Sequence, residues 1–153
     1  MRAGLRRVLV TGPHRSGTTI ASEIIAAELG LSAIRECDLA CPRFDGDSEP
    51  DLSINDIINM PDGVLQGATT FRWLPSIAEY FDTVVVVKRD INDILRSQKQ
   101  YRGRYLDDPV EKYKKLEAMN LSSCIWMEYE AFSRHPLFHK DRKGWKPRQT
   151  SPL

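Results

Sequence analysis

Residues Thr11–Thr19 read TGPHRSGTT, with Gly12 and Gly17 five apart and hydroxyls at Ser16, Thr18 and Thr19. The backbone amides of such a loop can curl around a terminal phosphate where a helix begins. The setting agrees, since an apolar run, RVLV, precedes the loop and the helical pattern IASEIIAAELG follows it. A magnesium-dependent nucleotide triphosphatase places lysine before the final Ser/Thr to reach the β- and γ-phosphates, and a carboxylate at a second strand end supports the metal. Here Thr18 stands at the lysine position, and the most apolar strand pattern, VVVV, runs into Lys88. Magnesium-dependent triphosphate hydrolysis is therefore disfavoured, and no metal site is expected. Arg15 brings a cation from within the loop, and its planar fork suits a transferring group together with the bridging oxygen. A sulfuryl group carries less negative charge than a phosphoryl group, so one guanidinium with the amide dipoles suffices without a metal. A plainer reading of the same residues is a Gly-Pro turn followed by a capped helix.

A second constellation lies in VVVVKRDINDILRSQ. Arg89 ends a strand pattern, Asp93 follows four residues later, and Ser97 comes eight residues after the arginine. An arginine at a strand end and a serine two helical turns further can both reach one phosphate, while Asp93 steadies the start of the helix. The plainer reading is an ordinary capped helix with an exposed arginine.

Together these residues resemble the P-loop sulfotransferases, which use 3′-phosphoadenosine 5′-phosphosulfate. GPHRSGTT is similar to that family's 5′-phosphosulfate loop, and Arg89, Asp93 and Ser97 to its 3′-phosphate motif. MEYEAFSRHP is similar to its late Tyr-Glu-Asp-Leu segment followed by Pro, with Ala131 where the family has Asp. The resemblance covers about residues 7 to 136. It implies that Ser16, Gly17, Thr18 and Thr19 hold the 5′-phosphate, that Arg15 both binds the donor and stabilises charge on the group in transfer, and that Arg89 and Ser97 select the 3′-phosphate. The acceptor would be a hydroxyl or amine on a small molecule or peptide, and its proton needs a base. Glu36 is the first choice, because it ends the second strand pattern at a separation from Arg15 like that of the catalytic glutamate in tyrosylprotein sulfotransferases; His14, inside the loop, is the other.

The chain also departs from that family. Ile20 stands where many cytosolic members place Trp against adenine, and RKGWK (Arg142–Lys146) resembles a shortened Arg-Lys-Gly segment that grips the donor's 3′-phosphate. Most members are longer, so the parts that wrap the acceptor are reduced, and a second subunit in a homo-oligomer is one way to complete them. Two other functions stay open: a P-loop nucleotide or small-molecule kinase, and a non-catalytic nucleotide-binding module.

The elements that must position these residues follow from periodicity. Arg6–Gly12 is a short β-branched run ending in Gly-Pro, as in a buried parallel strand. Ile20, Ile24, Ala27 and Leu31 recur at helical spacing, with Gly30 placed to end the helix. Ser32–Glu36 and GVLQGA are further strand candidates, with a helix near Leu52–Met60 between them and a helix from Pro75 in RWLPSIAEYF. After TVVVVK, Asp90 is the N-cap of a helix whose inward face is Ile91, Ile94, Leu95 and Gln98. Asp108–Met119 reads as a charged helix, CIWMEYE as a last strand, and YEAFSRHP as a turn or short helix stopped by Pro136. This alternation predicts an α/β fold, a P-loop three-layer sandwich with a mainly parallel central sheet of about five strands.

Length and charge set the remaining bounds. The 153 residues suit one domain, expected over 1–138, followed by a basic tail over 139–153. His139–Leu153 holds five cations and one anion, leaving 17 cations against 20 anions elsewhere, so no global field points to nucleic acid. Cys37, Cys41 and Cys124 make an odd count, read as free thiols in a reducing, cytoplasmic setting. No apolar stretch approaches a membrane span. The acidic stretch DGDSEPD has Pro50 where a calcium loop turns on Gly. The acid-rich segment Asp38–Asp56 is read as an acceptor entrance favouring neutral or cationic molecules.

Overall fold

A computed structural model of the chain describes residues 6–36, 53–67 and 73–138. In chain order the elements are β1 (Arg7–Thr11), α1 (Thr18–Leu29), β2 (Ala33–Arg35), α2 (Ile54–Ile58), β3 (Gly63–Gln66), a 3-10 turn (Ala78–Tyr80), β4 (Thr83–Lys88), α3 (Ile91–Arg102), α4 (Pro109–Met119), β5 (Cys124–Glu128) and α5 (Tyr129–Ser133). Cys37, Cys41, most of the acid-rich segment and the basic tail lie outside the described residues.

All four strand pairings are parallel, in the order β2-β3-β1-β4-β5. The pleat splits each central strand between two cores. Leu9, Val84 and Val86 face a cluster built with Ile57, Ile77, Ile94, Tyr113 and Leu116. Val8, Val10, Val85 and Val87 face the opposite cluster, with Ile20, Ala21, Ile24 and Phe132. Hence α1 and α5 cover one face while α2, α3 and α4 cover the other. That two-sided burial is why β1 and β4 read as unbroken apolar runs. The expected three-layer α/β sandwich is the observed fold.

The order places β1 between β3 and β4, with the chain leaving β1 toward one side of the sheet and β4 toward the other. A crevice opens at the carboxyl ends of strands where connections diverge in this way. Arg15 and Arg89 follow β1 and β4 at that point.

Two local expectations need correction. No α-helix starts at Pro75; residues 74–77 are turns leading into the 3-10 turn Ala78–Tyr80. Leu74 and Ile77 reach the core from there, and Phe81 just beyond it. The seven residues before Phe81 are too few for a stable α-helix and suffice for a tight 3-10 turn. Pro136 does not stop a helix either: α5 ends at Ser133, and the proline opens a further helical turn over 136–138, a position where its missing N–H is no loss. Among the described residues, no helix is long and apolar enough to cross a membrane.

Candidate functional site

The site begins with how α1 starts. Its N-cap is Gly17, in left-handed backbone at φ 104°, and it has neither a side-chain cap nor an acid in its first turn. By contrast, Asp90 caps α3 through Asp93 N, and Asp108 caps α4 through Val110 N and Glu111 N. Where those helices neutralise their own first turns, α1 keeps its positive end for another anion.

The loop is tight enough to need glycine twice. A Cβ on Gly12 would stand 2.7 Å from Ser16 Oγ and 3.1 Å from Val87 O, so the loop folds back across the end of β4. A Cβ on Gly17 would meet the Tyr129 ring at 2.6 Å. Ser16 N closes the turn onto Pro13 O at 3.2 Å. The Ser16 hydroxyl is buried without a partner in hydrogen-bond geometry, though close enough to the Tyr113 phenol to favour its ionised form slightly. Thr18 is buried and accepts from Gln66 Nε2 at 3.3 Å, so a neutral hydrogen-bonded pair occupies the position where a triphosphatase sets its lysine. Thr19 holds the first turn from inside, its carbonyl accepting from Ser22 Oγ at 2.8 Å.

The two sequence constellations meet here. Arg15 Nε donates to Ser97 Oγ at 3.0 Å, and Arg89 NH1 donates to Arg15 O at 2.9 Å. Each guanidinium lies on an aromatic ring: Arg15 over Tyr101 at 4.5 Å and Arg89 over Tyr129 at 4.3 Å. Arg89 Nε is buried with no hydrogen-bond partner, an unmet donor in a crevice already holding two positive charges. Arg15 keeps one side open to solvent, yet enough of its guanidinium is covered that burial, the largest cause, lowers its pKa; the charge of Arg89 acts in the same direction. The charge of an arriving anion would offset both effects.

Asp90 caps α3 as expected, and Asp93 is the acid of its first turn, where it also pairs with Arg96 NH1 at 2.9 Å on the exposed side.

The two base candidates take different positions. Glu36 follows β2 directly and is buried; its carboxyl group packs on Gly67 so closely that a Cβ there would overlap it. That puts it at the carboxyl edge of the sheet, with β3 between its strand and the anion loop. His14 lies in the loop itself, with its amide donating to Asp107 Oδ2 at 2.9 Å and its carbonyl accepting from Gln98 Nε2 at 2.9 Å.

Several supporting residues escaped the sequence reading. Tyr113 donates to Val87 O at 2.7 Å and accepts from Arg89 N at 3.1 Å, which fixes where β4 releases the chain. Burial, the main cause, pushes its phenol up to about 12. Tyr129, from the MEYEAFSRHP segment, packs its ring against Gly17 and under the Arg89 guanidinium. Gln98 gave one signal, a polar residue on the inward face of an amphipathic helix.

No family model matches the chain, and no curated relative matches it. Among solved structures it is similar to a gluconokinase from Sinorhizobium meliloti 1021, at 14% identity over 93% of this chain and 90% of that one, with a TM-score of 0.54. A sugar kinase from Janibacter sp. HTCC2649 aligns at 13% identity over 97% and 99% of the two chains, with a TM-score of 0.49. The first likeness shows the fold alone, an α/β sandwich around a parallel sheet.

Proposed function

We propose that the chain is a P-loop transferase moving a sulfuryl group from 3′-phosphoadenosine 5′-phosphosulfate to a hydroxyl or amine acceptor. The observation that carries this reading is the Arg15–Ser97–Arg89 junction, where the loop cation meets the cation and hydroxyl that follow β4. A donor with phosphates at both the 5′ and 3′ positions calls for such a pair of cations in one crevice. The open N-terminus of α1 receives the 5′-phosphate on the amides of Gly17, Thr18 and Thr19, with Ser16 shaping the turn before them. Arg89 and Ser97 take the 3′-phosphate.

In the transfer, the acceptor oxygen or nitrogen forms a bond to sulfur while the bond from sulfur to the 5′-phosphate oxygen breaks, leaving adenosine 3′,5′-bisphosphate. Arg15 balances charge growing on that leaving oxygen. The acceptor's proton passes to Glu36, with His14 as the competing base. Positioning and fixed dipoles supply most of the acceleration. The reading needs no metal, because Thr18 stands in place of the lysine and β4 runs into Lys88 where magnesium chemistry calls for a carboxylate.

A second reading is phosphoryl transfer from ATP by a P-loop kinase. The fold comparison favours it, since the similar solved structure is a gluconokinase. The residue chemistry opposes it at Thr18. Titrations with adenosine 3′,5′-bisphosphate, AMP and magnesium-ATP separate the two: preference for the bisphosphate supports sulfuryl transfer, and preference for magnesium-ATP supports the kinase.

A further inference from the structure

Gln98 is fully buried, and both ends of its amide are engaged. Its Nε2 donates to His14 O at 2.9 Å and to Asp107 Oδ1 at 2.7 Å; its Oε1 accepts from Leu106 N at 2.7 Å and from Asp107 N at 3.4 Å. Asp107 in turn accepts at Oδ2 from His14 N at 2.9 Å and from Lys112 Nζ at 3.1 Å. The carbonyl and amide of one residue, His14, are thus gripped by two side chains that hold each other. That residue immediately precedes Arg15, whose backbone sits in left-handed conformation at φ 69°. A non-glycine residue stays there only where its surroundings over-determine it.

We propose that Gln98 and Asp107 are positioning residues that preform the anion loop. By fixing His14 they hold Arg15 in its strained conformation and aim the loop before any ligand arrives. A loop already ordered does not lose that conformational freedom on binding, so the clamp raises affinity without touching the ligand. Lys112 neutralises the second oxygen of Asp107 from α4, tying the clamp to that helix. The inference rests on the reading that this loop receives the anion of a nucleotide donor.

The test uses the full chain carrying Asp107→Asn or Gln98→Met, with two measurements. Amide hydrogen exchange without ligand compares residues 12–17 with the core amides of Val85–Val87. Calorimetry measures adenosine 3′,5′-bisphosphate. The clamp predicts loop exchange at least about tenfold faster with the β4 amides unchanged, and bisphosphate affinity lower by about tenfold, the scale of one charge-assisted hydrogen bond. Unchanged loop exchange, or equal acceleration throughout the sheet, overturns it. Should Gln98→Met fail to fold, the near-isosteric Asp107→Asn carries both measurements. Absence of bisphosphate binding in the unmodified protein defeats the donor reading alone, while the exchange comparison still decides whether the clamp orders the loop.

Discussion

Arg15 Nε lies 3.0 Å from Ser97 Oγ, joining residues 82 positions apart in the chain. One belongs to the loop after β1 and the other to the second turn of α3, so the contact brings the two sequence constellations together. Arg89 completes it by donating to the carbonyl of Arg15 at 2.9 Å. Each guanidinium group is backed by a tyrosine ring, Arg15 by Tyr101 and Arg89 by Tyr129.

Removing members of this junction should act on one phosphate selectively. Ser97→Ala is expected to weaken adenosine 3′,5′-bisphosphate about tenfold and Arg89→Ala by about tenfold to a hundredfold, with AMP affected far less, following the usual worth of hydrogen bonds to charged groups. Parallel calorimetric titrations check this. Equal losses for both ligands would mean that these side chains shape the loop without reading the 3′ position.

Gly17 tests the loop's geometry. Gly17→Ala forces a Cβ into left-handed backbone and against the Tyr129 ring, at a cost of roughly 1–3 kcal/mol. Urea unfolding measures that loss.

The legible parts of the fold were those where local chemistry agrees with tertiary demand. The strands β1 and β4 announced themselves because burial on both faces removes polar residues from them. Asp90 was readable as a cap, since capping is decided within four residues, whereas Asp108 was read as part of the helix it caps. The segment after Pro75 was misread because its apolar spacing, Leu74, Ile77 and Phe81, fits a 3-10 turn as well as a helix. In the site, Arg15, Arg89 and Ser97 could be picked out by spacing, but their mutual contact is a property of strand order. Gln98, Asp107, Gln66 and Tyr113 stayed hidden for a related reason: each acts through a backbone or hydroxyl group distant in sequence, and no local pattern encodes that partner.

Tyr113 gives a pH dependence. Its phenol is raised from the ordinary 10 to about 12, chiefly by burial, so the folded state favours the protonated form. Between those values the unfolded chain loses the proton first, and stability falls as pH rises. The contribution is therefore complete below about pH 10 and disappears between about 10 and 12. Denaturant unfolding across this range should show a steeper alkaline decline in the unmodified protein than in Tyr113→Phe. At neutral pH the variant should lose about 1–3 kcal/mol, because Val87 O and Arg89 N are left without the hydroxyl.

Glu36→Gln separates the two base candidates. With an active acceptor, turnover should fall by about 10²–10⁴ while bisphosphate affinity holds, as expected for loss of a general base. Unchanged turnover moves the role away from Glu36, and the same assay on His14→Asn then examines the other candidate.

The central claim is that one crevice reads a doubly phosphorylated adenosine, and a single calorimetric comparison of adenosine 3′,5′-bisphosphate with AMP on the unmodified protein tests it most directly. The account predicts a preference for the bisphosphate of at least about a hundredfold, the worth of two charge-assisted hydrogen bonds at roughly 1.5 kcal/mol each. Equal affinity for the two ligands would contradict it.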